Sequence, residues 1–423
     1  MSVQKPREIA ARVLKRHRAG QQYIERLLEP ELGALSPEDR GLCQELVYGV
    51  VRWQKTLDWL IARKTTVRAQ NPQIHILLQL GLYQLFWLER VPDHAAVHET
   101  VELAKRLGFA PKAGFLNAVL RGYTREREVT RAALDELKKT EPAIGYSQPE
   151  WLVERWMNRW GKEKTIALLQ WNNTPPPTFA RVNTLKADTQ KLKQVWDSEK
   201  VVYREVERDW IPHDEVFELE SHPPLTSLRS FQEGMFYVQD PSTLLAVAVL
   251  DPKPSEHVLD VCSAPGGKTT YIAQRMRDEG EVLAEDIQLE RLKLVVENCQ
   301  RLSVTCVGTT SATKQFDRIL IDAPCSNTGV LRRRVELRWR IKPEEIIRLR
   351  DTQLQILRDS AKRLKPGGTL VYSTCSLESE ENQEVVKTFL LEHPEFTLVN
   401  ERQLLPFETQ VDGSYVATLN LRA

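Results

Sequence analysis

From about residue 239 onward the chain repeats one rhythm, a short apolar run followed by a helix-length segment, and no other feature restricts the fold as much. The runs are HVLDVC, EVLAEDI, VTCVG, FDRILIDAP and GTLVYSTC, rich in β-branched residues. Segments around 267–279, 289–301 and 343–364 separate them and carry helical spacing. Strands that are apolar throughout, rather than on alternate residues, belong in a sheet covered on both faces, which helical crossovers supply. A parallel, doubly wound α/β sheet is therefore expected, with ligands beyond the carboxyl ends of its strands. The last run, GSYVATLNLRA, predicts one more strand, pairing antiparallel at the end.

A chain of 423 residues is too long for one ordinary core, so this sheet has company. Residues 1–130 read as helices throughout. SPEDRGLCQELVYGVVR offers Ser36 as N-cap, Pro37 at the first helical position and Asp39 three residues on. VPDHAAVHETVELAKRLG spaces Val97, Val101 and Ala104 along one face and stops at Gly108, and KAGFLNAVLRG repeats the pattern with Phe115 and Val119. Between the bundle and the sheet, PEWLVERWMNRWG predicts a helix that NNTPPPT must break, followed by β-like pieces FARVNT, VVYREV and GMFYVQD. This middle section reads as a small α+β subdomain.

Composition excludes several classes. Hydrophobic residues make up 41% and charged residues 28%, which describes a globular chain rather than a disordered one. The opening MSVQKPREIAARVLKRHRAG has no apolar leader core and no stretch approaches membrane-spanning length, so a cytoplasmic protein is expected, without a membrane partner. Six cysteines do not suggest a disulfide framework, and no C-x2-C pair or cysteine–histidine cluster offers metal-ligand spacing. The net charge is +1, yet residues 1–130 hold 20 Lys+Arg against 14 Asp+Glu, a mild excess compatible with contact to nucleic acid.

The first strand of the sheet runs into LDVCSAPGGKTTYIAQRM, a Gly-rich turn that lets backbone amides approach a ligand at a helix N-terminus. A phosphate-binding P-loop would need glycine where Cys262 stands, and no G-x-G-x-x-G is present. A nucleotide-like ligand without phosphates remains. At the end of the second strand, Glu285 and Asp286 place an acid where ribose hydroxyls are usually held. Adenosine without phosphates suggests S-adenosylmethionine.

CSAPGGKT, DAPCSNTG and YSTCS, in this order and spacing, resemble the motifs of the RsmB/Sun (Fmu) and Nop2 group of S-adenosylmethionine-dependent RNA cytosine-5 methyltransferases. The N-terminal helices resemble the NusB-like domain of the RsmB branch, and the similarity runs through essentially the whole chain. The resemblance implies a NusB-like helical RNA-binding domain (residues 1–135), a helical linker (136–172), a small α+β RNA-binding subdomain (173–238) and a Rossmann-like class I methyltransferase domain (239–423). It also implies an RNA substrate, small-subunit ribosomal RNA before transfer RNA, and a monomer without metal. The rival from another class is a non-catalytic RNA-binding or antitermination factor on a methyltransferase scaffold.

Carried over residue by residue, the resemblance makes Cys375 the nucleophile, assigns Cys325 to release of the methylated RNA, and sets Asp322 against the cytosine ring and near the cofactor. Cys262, Ser263, Ala264, Pro265, Gly266, Gly267, Lys268, Asp286 and Asp322 are the expected cofactor-binding residues. Cys43, Cys299 and Cys306 read as small buried residues. Between the two cysteine motifs, Arg332, Arg333, Arg334, Arg338 and Arg340 with Trp339 predict a phosphate-binding rim. Two departures stand out: Arg334-Val335 where the family usually has His-Pro, and Thr309 where it generally has the acid of Gly-Asp after the third strand.

Overall fold

Ser36 caps its helix as its residue type predicts: the hydroxyl accepts from the Asp39 amide at 3.2 Å, and Pro37 opens the helix. The computed structural model describes residues 6–20, 22–33, 35–65 and 71–422; the first five residues, part of the segment read for a leader, lie outside it. Two units separate, Met1–Thr174 with Arg334–Arg340, and Pro175–Arg333 with Ile341–Ala423. Among the described residues no helix is long and apolar enough to cross a membrane.

The first unit is built from α1 (Pro6–Ala19), α2 (Ile24–Leu32), α3 (Pro37–Arg52), α4 (Gln54–Lys64), α5 (Pro72–Trp87), α6 (Asp93–Arg106), α7 (Ala113–Arg125) and α8 (Arg127–Thr140). In α5, PQIHILLQLGLYQLFW is apolar on every side and buried along most of its length, as expected of a bundle's central helix. A later helix, Glu150–Asn173, carries the tryptophans, kinks at Gly161 (φ +76°) and stops before the proline run.

Residues 334–340 belong to this unit and correct the expectation of a phosphate rim. Val335 is fully buried in the bundle core. The Arg338 guanidinium, also fully buried, donates to the carbonyls of Asn172 (2.8 Å), Arg52 and Ser147 (both 3.3 Å) and to Asn173 Oδ1 (2.7 Å). Trp339 Nε1 donates to the Val51 carbonyl at 2.8 Å, and Arg340 to the Gln22 carbonyl at 2.7 Å. In the other unit Arg332 (3% side-chain exposure) and Arg333 share the buried carboxylates of Asp240 and Asp412. Of the five arginines only Arg334 is exposed. The Arg332, Arg333 and Arg338 guanidiniums are thus directed at buried protein acceptors rather than presented as a phosphate-binding rim.

The second unit begins with a small antiparallel sheet of β1 (Thr178–Val182), β2 (Val202–Glu205), β3 (Val216–Ser221) and β4 (Phe236–Val238), ordered β2-β3-β1-β4. Trp196, from the helix Thr189–Ser198, packs edge-on against Phe217 and Phe236 and closes its core.

The large sheet contains β5 (His257–Val261), β6 (Glu281–Glu285), β7 (Val307–Gly308), β8 (Phe316–Asp322), β9 (Leu364–Thr374), β10 (Phe396–Leu404) and β11 (Ser414–Leu421). Their order is β10-β11-β9-β8-β5-β6-β7, with β9 to β7 parallel and β11 and β10 antiparallel. Strand alternation sorts the two cores. Val258, Val282, Leu320 and Val371 face the helices Leu244–Leu250 and Gly267–Arg275, while Leu259, Leu283, Ile319, Ile321 and Leu370 face Pro343–Ala361 and Gln383–Glu392. The doubly wound expectation is met. The C-terminal strand is antiparallel as expected, but it lies inside the sheet, flanked by β10.

Candidate active site at the carboxyl edge of the sheet

A parallel sheet sends all its connections out of one edge, so the residues after β5, β6, β8 and β9 are neighbours whatever their separation in sequence. After β5 the backbone turns sharply: Cys262 has φ +62° and Gly266 φ +102°, with a cis bond between Ala264 and Pro265. A Cβ on Gly266 would also sit 3.2 Å from the Val295 backbone, so both the conformation and the space call for glycine. The helix starts at Gly267. Three side chains hold the turn from outside. Arg181 of β1, fully buried, donates to the Gly267 carbonyl at 2.9 Å; Arg291 donates to the Ala264 carbonyl at 2.6 Å; Asn298 donates to that of Pro265 at 2.9 Å.

Inside the turn, polar atoms are left without protein partners. Asp260 is fully buried; its Oδ2 accepts from Thr269 Oγ1 at 2.6 Å, while Oδ1 has no hydrogen-bond partner among the described residues. Ser263 Oγ is in the same position. Burial pushes Asp260 up to about 7 despite the Thr269 hydrogen bond, and the Asp322 and Asp286 carboxylates add to the effect. Burial, with Asp322 and Asp286, likewise pushes the Cys262 thiol up to about 12, so it stays protonated.

The acidic pair after β6 divides. Glu285 is taken by Arg363 through two contacts of 2.7 and 3.0 Å. Asp286 turns toward the Gly-rich turn, accepting from the amides of Ala264 (3.3 Å) and Gln288 (2.9 Å), with Arg291 at 3.5 Å. Beside it Ile287 is 95% exposed. Thr309, past the short β7, is exposed.

Asp322 ends β8 and pairs with Lys268 Nζ at 2.6 Å. Burial opposes charge on Lys268, but Asp322 holds the ammonium above its ordinary range, and Cys375 contributes in the same direction. The loops after β8 and β9 then bring the two motif cysteines together, Sγ to Sγ at 3.3 Å, both as free thiols. The Cys375 thiol also donates to Asn327 Oδ1 at 3.0 Å. Contact with Cys375, burial, and the charges of Cys375 and Glu381 push the Cys325 thiol well above its ordinary range. Gly329 lets the loops meet: a Cβ there would lie 2.4 Å from the Gly413 carbonyl oxygen and 2.7 Å from that of Cys375. Cys43 and Cys299 are buried and Cys306 partly so.

Asp260, Arg181, Asn327 and Glu381 were not singled out in the sequence. Asp260 and Asn327 sit inside quoted motifs, and an acid within an apolar strand was a readable signal. Arg181 lies 86 residues from Gly267, and nothing local marks it.

Residues 247–420 match the family model described as 16S rRNA methyltransferase RsmB/F. Residues 4–125 match the NusB family, and 148–210 the ferredoxin-like domain of RsmF/B-like methyltransferases. The chain is 38% identical over 403 residues to a probable ribosomal RNA small subunit methyltransferase B of Bacillus subtilis, covering 92% of this chain and 89% of that protein. It is 35% identical over 434 residues to the ribosomal RNA small subunit methyltransferase B of Salmonella dublin, covering 98% of each. The crystal structure of PH0851 shares the fold over 99% of both chains, with a TM-score of 0.78 at 24% identity. A methyltransferase homologue from Pyrococcus horikoshii aligns at 31% identity and a TM-score of 0.57, covering 69% of this chain and 99% of that one.

Proposed function

Because the chain belongs to the family of 16S rRNA methyltransferases RsmB/F, we propose that it methylates carbon 5 of a cytosine in small-subunit ribosomal RNA, using S-adenosylmethionine and a covalent cysteine adduct. The thiol pair carries this reading. Two free thiols 3.3 Å apart, ending neighbouring strands beside a half-buried Lys268–Asp322 pair, suit a reaction that must attach and then detach a sulfur nucleophile.

The residues present fit the cofactor. Asp260 Oδ1, on β5 just before the turn, and Ser263 Oγ, within it, have no partner among the described residues and offer acceptors there. Asp286 offers a carboxylate for ribose hydroxyls, and the exposed Ile287 next to it offers an apolar face for a base. When bound, S-adenosylmethionine supplies an electrophilic methyl on a sulfonium.

Carbon 5 of cytosine is too weak a nucleophile on its own. Attack of the Cys375 thiolate on C6 moves electron density onto C5, and Asp322, held by Lys268, hydrogen-bonds the ring. After methylation the C5 proton must leave, the C5–C6 double bond re-forms and Cys375 is expelled as thiolate. Cys325 assists that release. Its Sγ lies 3.3 Å from that of Cys375, close enough for its thiol to hand a proton to the departing Cys375 thiolate.

Incubating the protein with methyl-labelled cofactor and small-subunit ribosomal RNA, then digesting to nucleosides, tests the reading. Label in 5-methylcytidine is expected; label in another nucleoside, or none in RNA, contradicts it.

A further inference from the structure

We propose that Glu381 is a positioning residue that sets the separation of the two thiols; this rests on the covalent reading of the site. Glu381 is fully buried, six residues past Cys375 in CSLESEEN. One of its oxygens, Oε1, accepts from the Ser326 amide at 2.8 Å and from Gln353 Nε2 at 3.1 Å. The other, Oε2, accepts from the Ser326 hydroxyl and, at 2.5 Å, from the Ser376 hydroxyl. The two hydroxyls are themselves 3.1 Å apart.

Ser326 directly follows Cys325, and Ser376 directly follows Cys375. Consecutive Cα atoms are about 3.8 Å apart, so fixing the two serines on one oxygen leaves the preceding cysteines little freedom. Gln353 extends the clamp by donating to the Pro324 carbonyl at 2.8 Å, and the Tyr372 hydroxyl donates to the carbonyl of Glu381 itself at 2.6 Å. A carboxyl buried without a cation costs free energy that an apolar residue would not. Here four donors converge on it, and they come from both cysteine loops and the helix behind them. Core filling requires no such convergence. Holding two loops in register does.

The test combines Glu381→Ala, Glu381→Gln and the double variant Ser326→Ala/Ser376→Ala, which leaves the carboxylate and its Gln353 bond in place. Two readouts are taken. The first is the rate at which diamide, accepting two hydrogens, joins Cys325 and Cys375 in a disulfide, identified by peptide mass mapping. The second is kcat for methyl transfer alongside KM for the cofactor. Both the cross-linking rate and kcat are expected to fall between about tenfold and a hundredfold in Glu381→Ala and in the double variant, with Glu381→Gln between these and wild type. The cofactor KM is expected to hold within about twofold, as its expected residues other than Asp322 lie after β5 and β6. Variants that melt earlier but cross-link and transfer methyl at wild-type rates overturn the proposal and leave Glu381 a stabilising core group. If Glu381→Ala does not fold, the double variant decides. Slower cross-linking in variants of a chain whose wild type methylates no cytosine supports the clamp while removing the covalent reading.

Discussion

Asp260→Asn turns the buried, half-satisfied carboxyl of β5 into a measurable slope. The side chain is fully buried, one oxygen bonds Thr269 and the other has no partner among the described residues, and the folded pKa rises from 3.8 to about 7. Below about pH 4 the folded and unfolded chains both carry the proton, so the group does not favour unfolding. As pH rises through this window the unfolded chain ionises while the folded one resists, and stability is lost until the folded carboxyl also titrates near 7. Each pH unit is worth ~1.36 kcal/mol, so the loss amounts to about 4 kcal/mol. Asparagine keeps an oxygen for Thr269 and does not titrate. The variant's unfolding free energy minus that of the wild type is therefore expected to grow by about 4 kcal/mol between pH 4 and pH 8. Urea melts of both proteins across that range read the difference. A flat difference refutes the reasoning, because it means that Asp260 ionises at its ordinary pKa.

Arg332→Ala leaves the buried Asp240 and Asp412 carboxylates to Arg333 alone and is expected to cost about 1–3 kcal/mol in a denaturant melt, while the salt dependence of RNA binding keeps its slope; a flattened slope would return this arginine to the RNA surface. Asp286→Asn keeps an acceptor for only one of the Ala264 and Gln288 amides, which bond different carboxylate oxygens, and loses the charge offered to ribose. Cofactor affinity measured by calorimetry is then expected to fall between about tenfold and a hundredfold, and unchanged affinity removes Asp286 from the site.

The features legible in the sequence were those that physics writes locally. Apolar runs such as RILID and TLVYST show a strand buried on both faces, and the turn CSAPGGK shows itself by its glycines. Strand β10 was missed because FTLVNERQL lies at the sheet edge with most of its side chains in solvent, so neither an apolar run nor an alternation marks it. β3, VFELES, was missed although it lies inside its sheet with Val216, Phe217 and Leu219 buried. The arginine segment was misread because charge density alone cannot distinguish a solvated or phosphate-binding face from cations answered by distant partners. Asp412 lies 80 residues from Arg332, and Asn173 lies 165 from Arg338. The division of labour between Glu285 and Asp286 depends likewise on Arg363, 78 residues away. The convergence on Glu381 exists only once β8 and β9 lie side by side.

The covalent claim is tested most directly by replacing each thiol in turn and running the protein with RNA and S-adenosylmethionine on a denaturing gel. Cys375→Ala removes the attacking sulfur and is expected to bind RNA, form no covalent complex and transfer no methyl. Cys325→Ala leaves attack intact and impairs release, so a covalent protein–RNA band is expected to accumulate, through a bond between Cys375 and C6. The reverse pattern would exchange the roles of the two cysteines. If neither variant traps RNA and both still methylate it, the thiols 3.3 Å apart are not the chemistry of this site.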